Sequence, residues 1–202
     1  MTSPWDLPDF DDHEALHLVR DSVSGLTAII AIHSTHLGPA RGGTHFWHYA
    51  DREAEITDAL RLSRGMSYKN AMAGLAMGGG KAVILSDAKG TKTPEMIAAF
   101  AREVDSLGGR YVTAQDVGMS AEDMIAISKG TRFVSGLPPK EGGAGGDPGP
   151  TTAKGVFLGV KAAVKRALGK DDLSGVHIAI QGVGSVGGGL ARHAAGAGAR
   201  LT

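Results

Sequence analysis

The 202-residue sequence contains no cysteine. This removes disulfides, thiolate nucleophiles and cysteine-ligated zinc or iron–sulfur centres, and it fits a reducing compartment. Any redox chemistry must then come from a bound cofactor. An excess of charge is also lacking: 21 basic and 21 acidic residues give a net charge of zero. Steering of polyanions is not part of such a design, so neither nucleic acid nor an anionic membrane is expected as a partner. No apolar run approaches the ~20 residues that span a bilayer. The beginning of the chain is acidic, with Asp6, Asp9, Asp11 and Asp12, and lacks the basic and apolar regions of a secretory signal. These features predict a soluble cytoplasmic protein. With 42% hydrophobic and 21% charged residues, the composition excludes disordered and low-complexity classes and suffices for one ordinary core or two small ones.

Glycine is what the chain has in abundance, 31 residues, about twice the usual frequency of roughly 7%. The glycines cluster at Gly78-Gly79-Gly80, Gly142-Gly143, Gly145-Gly146 and between Gly182 and Gly189. Such clusters mark positive φ angles or close approaches to the backbone.

The Ile-rich run Leu26 to His33 reads as a buried strand, with Leu16 to Arg20 as its hairpin partner. Asp51 is a candidate N-cap for a helix of roughly four turns, with Glu53 and Glu55 in its first turn and Ile56, Ala59, Leu60 and Ser63 on one face. Ala82 to Leu85 reads as a short strand. Thr93-Pro94-Glu95 is a strong helix start, Met96, Phe100, Val104 and Leu107 give its apolar stripe, and Gly108 ends it. Tyr111 to Ala114 reads as a strand, Ser120 and Asp123 as the capping box of a helix ending near Gly130, and Arg132 to Ser135 as strand-like. Leu137 to Pro150 lacks hydrophobic periodicity and reads as a hinge. Beyond it come a helix from Thr152 to Leu168 with Val156, Val160, Val164 and Leu168 in one stripe, a strand from Val176 to Gln181, a helix from Val186 to about Ala195, and the start of a strand at Arg200. Strands alternating with helices indicate an α/β architecture. We therefore expect one domain over residues 1–140, and the hinge with a second domain over 141–202.

Gly182-Val183-Gly184-Ser185-Val186-Gly187 matches the G-x-G-x-x-G pattern, and its placement between a strand and a helix gives it meaning. The first glycine permits the tight turn, the second lets a pyrophosphate approach, and the third permits close helix–strand packing. The helix N-terminus offers free N–H groups to phosphate. The ribose-binding acid that follows such glycines by about 20 residues would lie past Thr202, so NAD and NADP are not distinguished. Gly78-Gly79-Gly80-Lys81 is not a P-loop, because Ala82 replaces the magnesium-binding hydroxyl and Leu75 the first glycine. From the residues alone Lys81 reads first as a solvated surface charge; the alternative is a lysine crowded by backbone and partly desolvated, which lowers its pKa toward that of a usable base, with Asp116 a candidate carboxylate to tune it. Lys69 and Lys81 flank a segment without acidic residues, as suits the binding of a small carboxylate. Arg41, among glycines in Gly38 to Thr44, could reach the same site. The pairs His33/His36 and His45/His48 lack accompanying acids, and no metal site is expected.

Taken together, Leu37-Gly38-Pro39-Ala40-Arg41-Gly42-Gly43-Thr44, Arg64-Gly65-Met66-Ser67-Tyr68-Lys69-Asn70, Ala73-Gly74-Leu75 with Gly78 to Lys81, Thr113-Ala114-Gln115-Asp116-Val117-Gly118 and Gln181-Gly182-Val183-Gly184 resemble the glutamate, leucine, phenylalanine and valine dehydrogenase family. The wording is nearest the leucine/phenylalanine branch. The resemblance implies an N-terminal α/β substrate-binding and oligomerisation domain, then the first part of a Rossmann dinucleotide-binding domain. It implies reversible NAD(P)-dependent deamination of an aliphatic or aromatic L-amino acid to a 2-oxo acid and ammonia, by a homo-oligomer. By motif, Lys69 resembles the lysine that binds the substrate α-carboxylate, Lys81 the low-pKa lysine that activates water, and Asp116 the acid that passes protons. Gly42 and Gly43 would lie near the substrate, Met66 would line its pocket, and Thr152 would contact the nicotinamide end.

The sequence departs from the family pattern at several positions. Arg41 stands where leucine-type relatives have an aliphatic residue and glutamate-type relatives a lysine, which keeps an acidic substrate read by Arg41 as an alternative. His45 replaces an arginine common in the branch, and Asp147 with Gly149 alters a usual Asn-Pro-Ser-Pro turn. The remaining sheet strands of the family follow Thr202, so a second alternative is a non-catalytic truncated homologue. In that reading the region after Val176 is poorly ordered alone.

Overall fold

The apolar run near the N-terminus lies inside a five-stranded sheet. β1 (Ala15–Asp21) and β2 (Leu26–Ser34) form the expected hairpin, paired antiparallel from Ala15 opposite Ile32 to Asp21 opposite Leu26. The Asp21 carboxylate closes the turn by accepting the Val23 N–H at 2.9 Å and the Ser24 hydroxyl at 2.8 Å. There follow β3 (Ala40–Trp47), α1 (Arg52–Met72), β4 (Gly78–Leu85), α2 (Pro94–Ser106), β5 (Tyr111–Gln115) and α3 (Ala121–Ser128). This is a computed structural model, and it describes residues 3–139 and 145–202.

The strand order is β1-β2-β4-β3-β5, with β4 antiparallel to β2 but parallel to β3, and β3 parallel to β5. β2 is apolar from Ala28 to Ile32 because both of its faces are covered there. Leu26, Ala28, Ile30 and Ile32 join Ala82 and Ile84 of β4 against Met96, Ile97, Phe100 and Val104 of α2 and Met124 and Ile127 of α3. Ile29 and Ala31 point the other way, packing with Val83 against Ala59 of α1.

Both helices with strong local start signals begin as predicted. Thr93 accepts the Met96 N–H at 3.2 Å, and Ser120 and Asp123 form a reciprocal capping box. Asp51 caps α1 by accepting the Ala54 N–H at 2.8 Å. α1 runs for 21 residues, not four turns, and carries the whole Arg64–Asn70 motif. Three other expectations need correction. β4 begins at Gly78, not Ala82, so the three glycines lie inside a buried strand. β3 was not anticipated, because Arg-Gly-Gly-Thr-His hides the period-two pattern of a strand. Arg132 to Ser135 contributes a single bridge, Thr113 to Val134, in place of a strand.

The chain divides into two compact units, Met1–Gly146 and Asp147–Thr202. In the second, α4 (Gly149–Leu168) starts three residues before the predicted Thr152. Val164 is buried, whereas Val156 and Leu168 of the predicted stripe are exposed. β6 is reduced to His177–Ile178, paired in parallel with β7 (Arg200–Leu201), although hydrogen bonds from Arg200 N to Val176 O and Ile180 N to Thr202 O lengthen the ladder. α5 (Ser185–Gly196) connects them. Among the described residues no helix is long and apolar enough to cross a membrane.

Candidate active site

A polar cluster occupies the α1-facing side of the sheet in the first unit. Lys81 shares this face with Val83, two residues further along β4, and is paired with Ala31, which belongs to the same side. Its side chain is only 4% exposed, and Nζ donates to Asp116 Oδ2 at 2.5 Å. Asp116 follows directly after β5, and the adjacent Val117 N–H donates to its Oδ1 at 2.8 Å. The predicted pair of Lys81 and Asp116, 35 residues apart, is thus brought into contact.

Burial disfavours the ammonium and holds the Lys81 pKa below that of an ordinary lysine, against the pull of Asp116 in the opposite direction. Burial also works against the Asp116 carboxylate, but the His45 contact and the Lys81 charge outweigh it and keep Asp116 ionised well below the usual carboxylate range. A lysine that releases its proton readily beside a fixed anion can serve as a base or an acid.

Glycines make room for this arrangement. A Cβ on Gly43 would lie 2.6 Å from the Asp116 Cβ, so only glycine admits the carboxylate there. A Cβ on Gly79 would overlap Ser67 and the Ser63 carbonyl of α1, which fixes how closely that helix lies on β4. Met66 is beside Gly42: its Cγ is 3.3 Å from the position of a Gly42 Cβ. Lys69 is exposed on the last turn of α1, near enough for its charge to push the Lys81 pKa down. The next residue, Asn70, is buried and donates to the Gly78 carbonyl at 2.7 Å, tying the end of the helix to the start of β4. Arg41 is directed elsewhere: Nε donates to Ser135 Oγ at 3.2 Å, and an Nη lies 3.1 Å from the Met77 sulfur.

Sequence reasoning missed three members of the cluster, His45 as a participant, Asp58 and Tyr49. In the sequence, His45 reads only as half of a metal-ligand pair and as a departure from an arginine. Asp58 lies on the inner side of α1, between Glu55 and Ala59, and a carboxylate beside a buried stripe was the signal available for it. Among the described residues no group of three or more His, Asp or Glu could hold a metal ion.

In the second unit, Gly182 has φ +85° and a Cβ on Gly187 would overlap the Gly182 carbonyl, as the first and third glycines of a dinucleotide turn require. Nothing lies within 4 Å of a Cβ on Gly184, the N-cap of α5, and no side chain caps this helix. Val183 is exposed, Ser185 and Val186 form the first turn of α5, and Thr152 is exposed in the first turns of α4. The residues present therefore fit a phosphate-bearing group on a helix N-terminus. Asp147 accepts the Gly149 N–H at 2.9 Å and the Ser185 hydroxyl at 3.4 Å, so this departure from the usual turn links the starts of α4 and α5.

The family model of the Glu/Leu/Phe/Val dehydrogenase dimerisation domain matches residues 13–133. The chain belongs to this dehydrogenase family. Its similarity lies with the leucine branch. It is 54% identical over 190 residues to leucine dehydrogenase of Bacillus subtilis (strain 168), covering 94% of this chain and 52% of that protein. It is 51% identical over 185 residues to valine dehydrogenase of Streptomyces virginiae, covering 92% and 51%. The crystal structure of L-tryptophan dehydrogenase from Nostoc punctiforme matches with a TM-score of 0.67 and 43% identity, over 94% of this chain and 53% of that one. The chain thus spans about half the length of the relatives it matches.

Proposed function

We propose that the chain carries the catalytic lysine–aspartate pair of an enzyme that oxidatively deaminates an aliphatic or aromatic L-amino acid, with NAD as acceptor and NADP not distinguished from it. The observation that carries this reading is the buried Lys81 ammonium on Asp116, with a second lysine, Lys69, close by. Residues 1–140 form the substrate-binding and oligomerisation domain in this reading, and residues 141–202 the hinge and the first part of the dinucleotide-binding domain. The matching family model describes a dimerisation domain, which supports a homo-oligomer.

Lys69 binds the α-carboxylate of the amino acid as a charged donor. Lys81, as the free amine, takes a proton from water attacking the imino acid, and Asp116 receives and returns protons at Lys81 Nζ. Gly42, Gly43 and Met66 bound the substrate beside this pair, whereas Arg41 is turned toward Ser135 and Met77. The backbone of Gly182, Val183, Gly184, Ser185, Val186 and Gly187 would hold the pyrophosphate of the dinucleotide, and Thr152 would be a contact for its nicotinamide end. A bound nicotinamide would supply the acceptor for hydride from the substrate Cα. Products are the 2-oxo acid and ammonia, and the enzyme works in the cytoplasm.

The test is formation of reduced cofactor, followed at about 340 nm, the nicotinamide absorption band, with leucine, valine, phenylalanine and glutamate offered separately. Turnover of leucine or valine above glutamate is the expected result. Binding of NAD without turnover of any of the four would overturn the catalytic reading for this chain and leave a dinucleotide-binding homologue. Lys81→Ala is expected to abolish turnover while NAD binding is retained.

A further inference from the structure

The lysine–aspartate pair does not end at Asp116. The other carboxylate oxygen, Oδ1, lies 3.4 Å from His45 Nε2, and His45 Nδ1 lies 2.9 Å from Asp58 Oδ2. The same Asp58 oxygen accepts the Tyr49 hydroxyl at 2.5 Å. One imidazole on β3 therefore stands between two carboxylates from different elements, α1 and the end of β5, with its side chain only 15% exposed. A neutral imidazole has one N–H and can donate to only one of two carboxylates; the imidazolium donates to both. The groups around it on every side are Asp58 from α1, with Glu55 a turn before it, Lys81 from β4, Asp116 after β5 and Tyr49 after β3.

We propose that His45 is a positioning residue, a cation clamped between Asp58 and Asp116 that holds the Asp116 carboxylate in register with Lys81 Nζ. Without His45, Asp116 would be held by Lys81 and the Val117 N–H, and a Lys81 turned toward substrate or water would loosen the first of these. The clamp keeps the carboxylate in place through that change. Burial disfavours the charge on His45, yet the two carboxylates outweigh it and its pKa lies above that of an ordinary histidine. The clamp is therefore complete where His45 is protonated and both carboxylates are ionised, and it is released as pH rises through the His45 midpoint.

The proposal rests on the reading of Lys81 and Asp116 given above, and its test separates the two. In this chain, NMR titration of the His45 ring is expected to give a midpoint above about 6.5, lowered in both Asp58→Asn and Asp116→Asn. A midpoint at or below that value, or one indifferent to both substitutions, overturns the clamp whatever the enzyme turns over. In turnover, His45→Asn is expected to lower kcat by about tenfold to a hundredfold with KM changed far less, and His45→Arg, whose charge is permanent, to restore most of it. The ratio of wild-type to His45→Arg kcat/KM should fall as pH rises through the midpoint seen by NMR. A ratio independent of pH, or a His45→Asn enzyme with unchanged kcat, overturns the positioning role. If the titration behaves as expected and the wild type turns over no amino acid, the failure lies with the proposed function, and the positioning role, which depends on it, falls as well.

Discussion

At the residue scale, the polar cluster ties stability to pH in a defined direction. Asp58 and Asp116 have depressed pKa values in the folded chain, so their contribution is present above about pH 4 and is lost as pH falls through their folded values. His45 has a raised pKa, so its contribution is complete below about pH 6.5 and is lost as pH rises through the folded value. The stability difference between wild type and His45→Asn should accordingly be greatest between about pH 4 and 6.5, on the order of 1 kcal/mol, and shrink on both sides. Urea denaturation across pH checks this; a difference that grows toward pH 9 would contradict it. Lys81 and Asp116 were legible through the resemblance of their motifs, since a lysine after three glycines, taken alone, reads first as a solvated surface charge. The His45 link was not, because its partners Asp58 and Asp116 are brought to it only by the packing of α1 and β5 against β3.

The same contrast between local and distant causes holds at the scale of elements. The starts of α2 and α3 were legible because a cap, a proline or an acid within one turn determines them. β3 and the first half of β4 were not, because their glycines are selected by what lies opposite: α1 for Gly79 and Asp116 for Gly43. Gly79→Ala should push α1 from the sheet and destabilise the chain by about 1–3 kcal/mol. Gly65, on the same helix, has nothing within 4 Å of a Cβ, and Gly65→Ala should be neutral or stabilise by up to about 1 kcal/mol. Equal losses for both, read from denaturation midpoints, would mean that helix propensity and not close approach governs these positions. Gly43→Ala should leave the fold largely intact while displacing Asp116, lowering kcat more than it lowers stability.

On the scale of the whole molecule, the two units have cores of different extent. The first buries a large cluster of β2, β4, α2 and α3 side chains, whereas the second centres on Val164, Leu173 and Val176. Unequal stability follows. Amide exchange should be slowest in β2 and β4 and markedly faster in α4 and α5, and thermal unfolding should show the second unit melting first; one concerted transition with uniform protection would contradict this. The α/β alternation and the glycine turn at Gly182 to Gly187 were legible because they repeat local patterns. The short β6–β7 ladder was harder to read, since a strand's extent depends on its neighbour. Turnover depends on Lys81 acting as a free amine. The most direct measurement is kcat/KM for leucine against pH in wild type and in Lys81→Arg, whose guanidinium stays charged at any usable pH. The wild-type rate should rise through a midpoint below that of ordinary lysine, and the variant should lose turnover with NAD binding retained. A Lys81→Arg enzyme within about tenfold of wild type would contradict this.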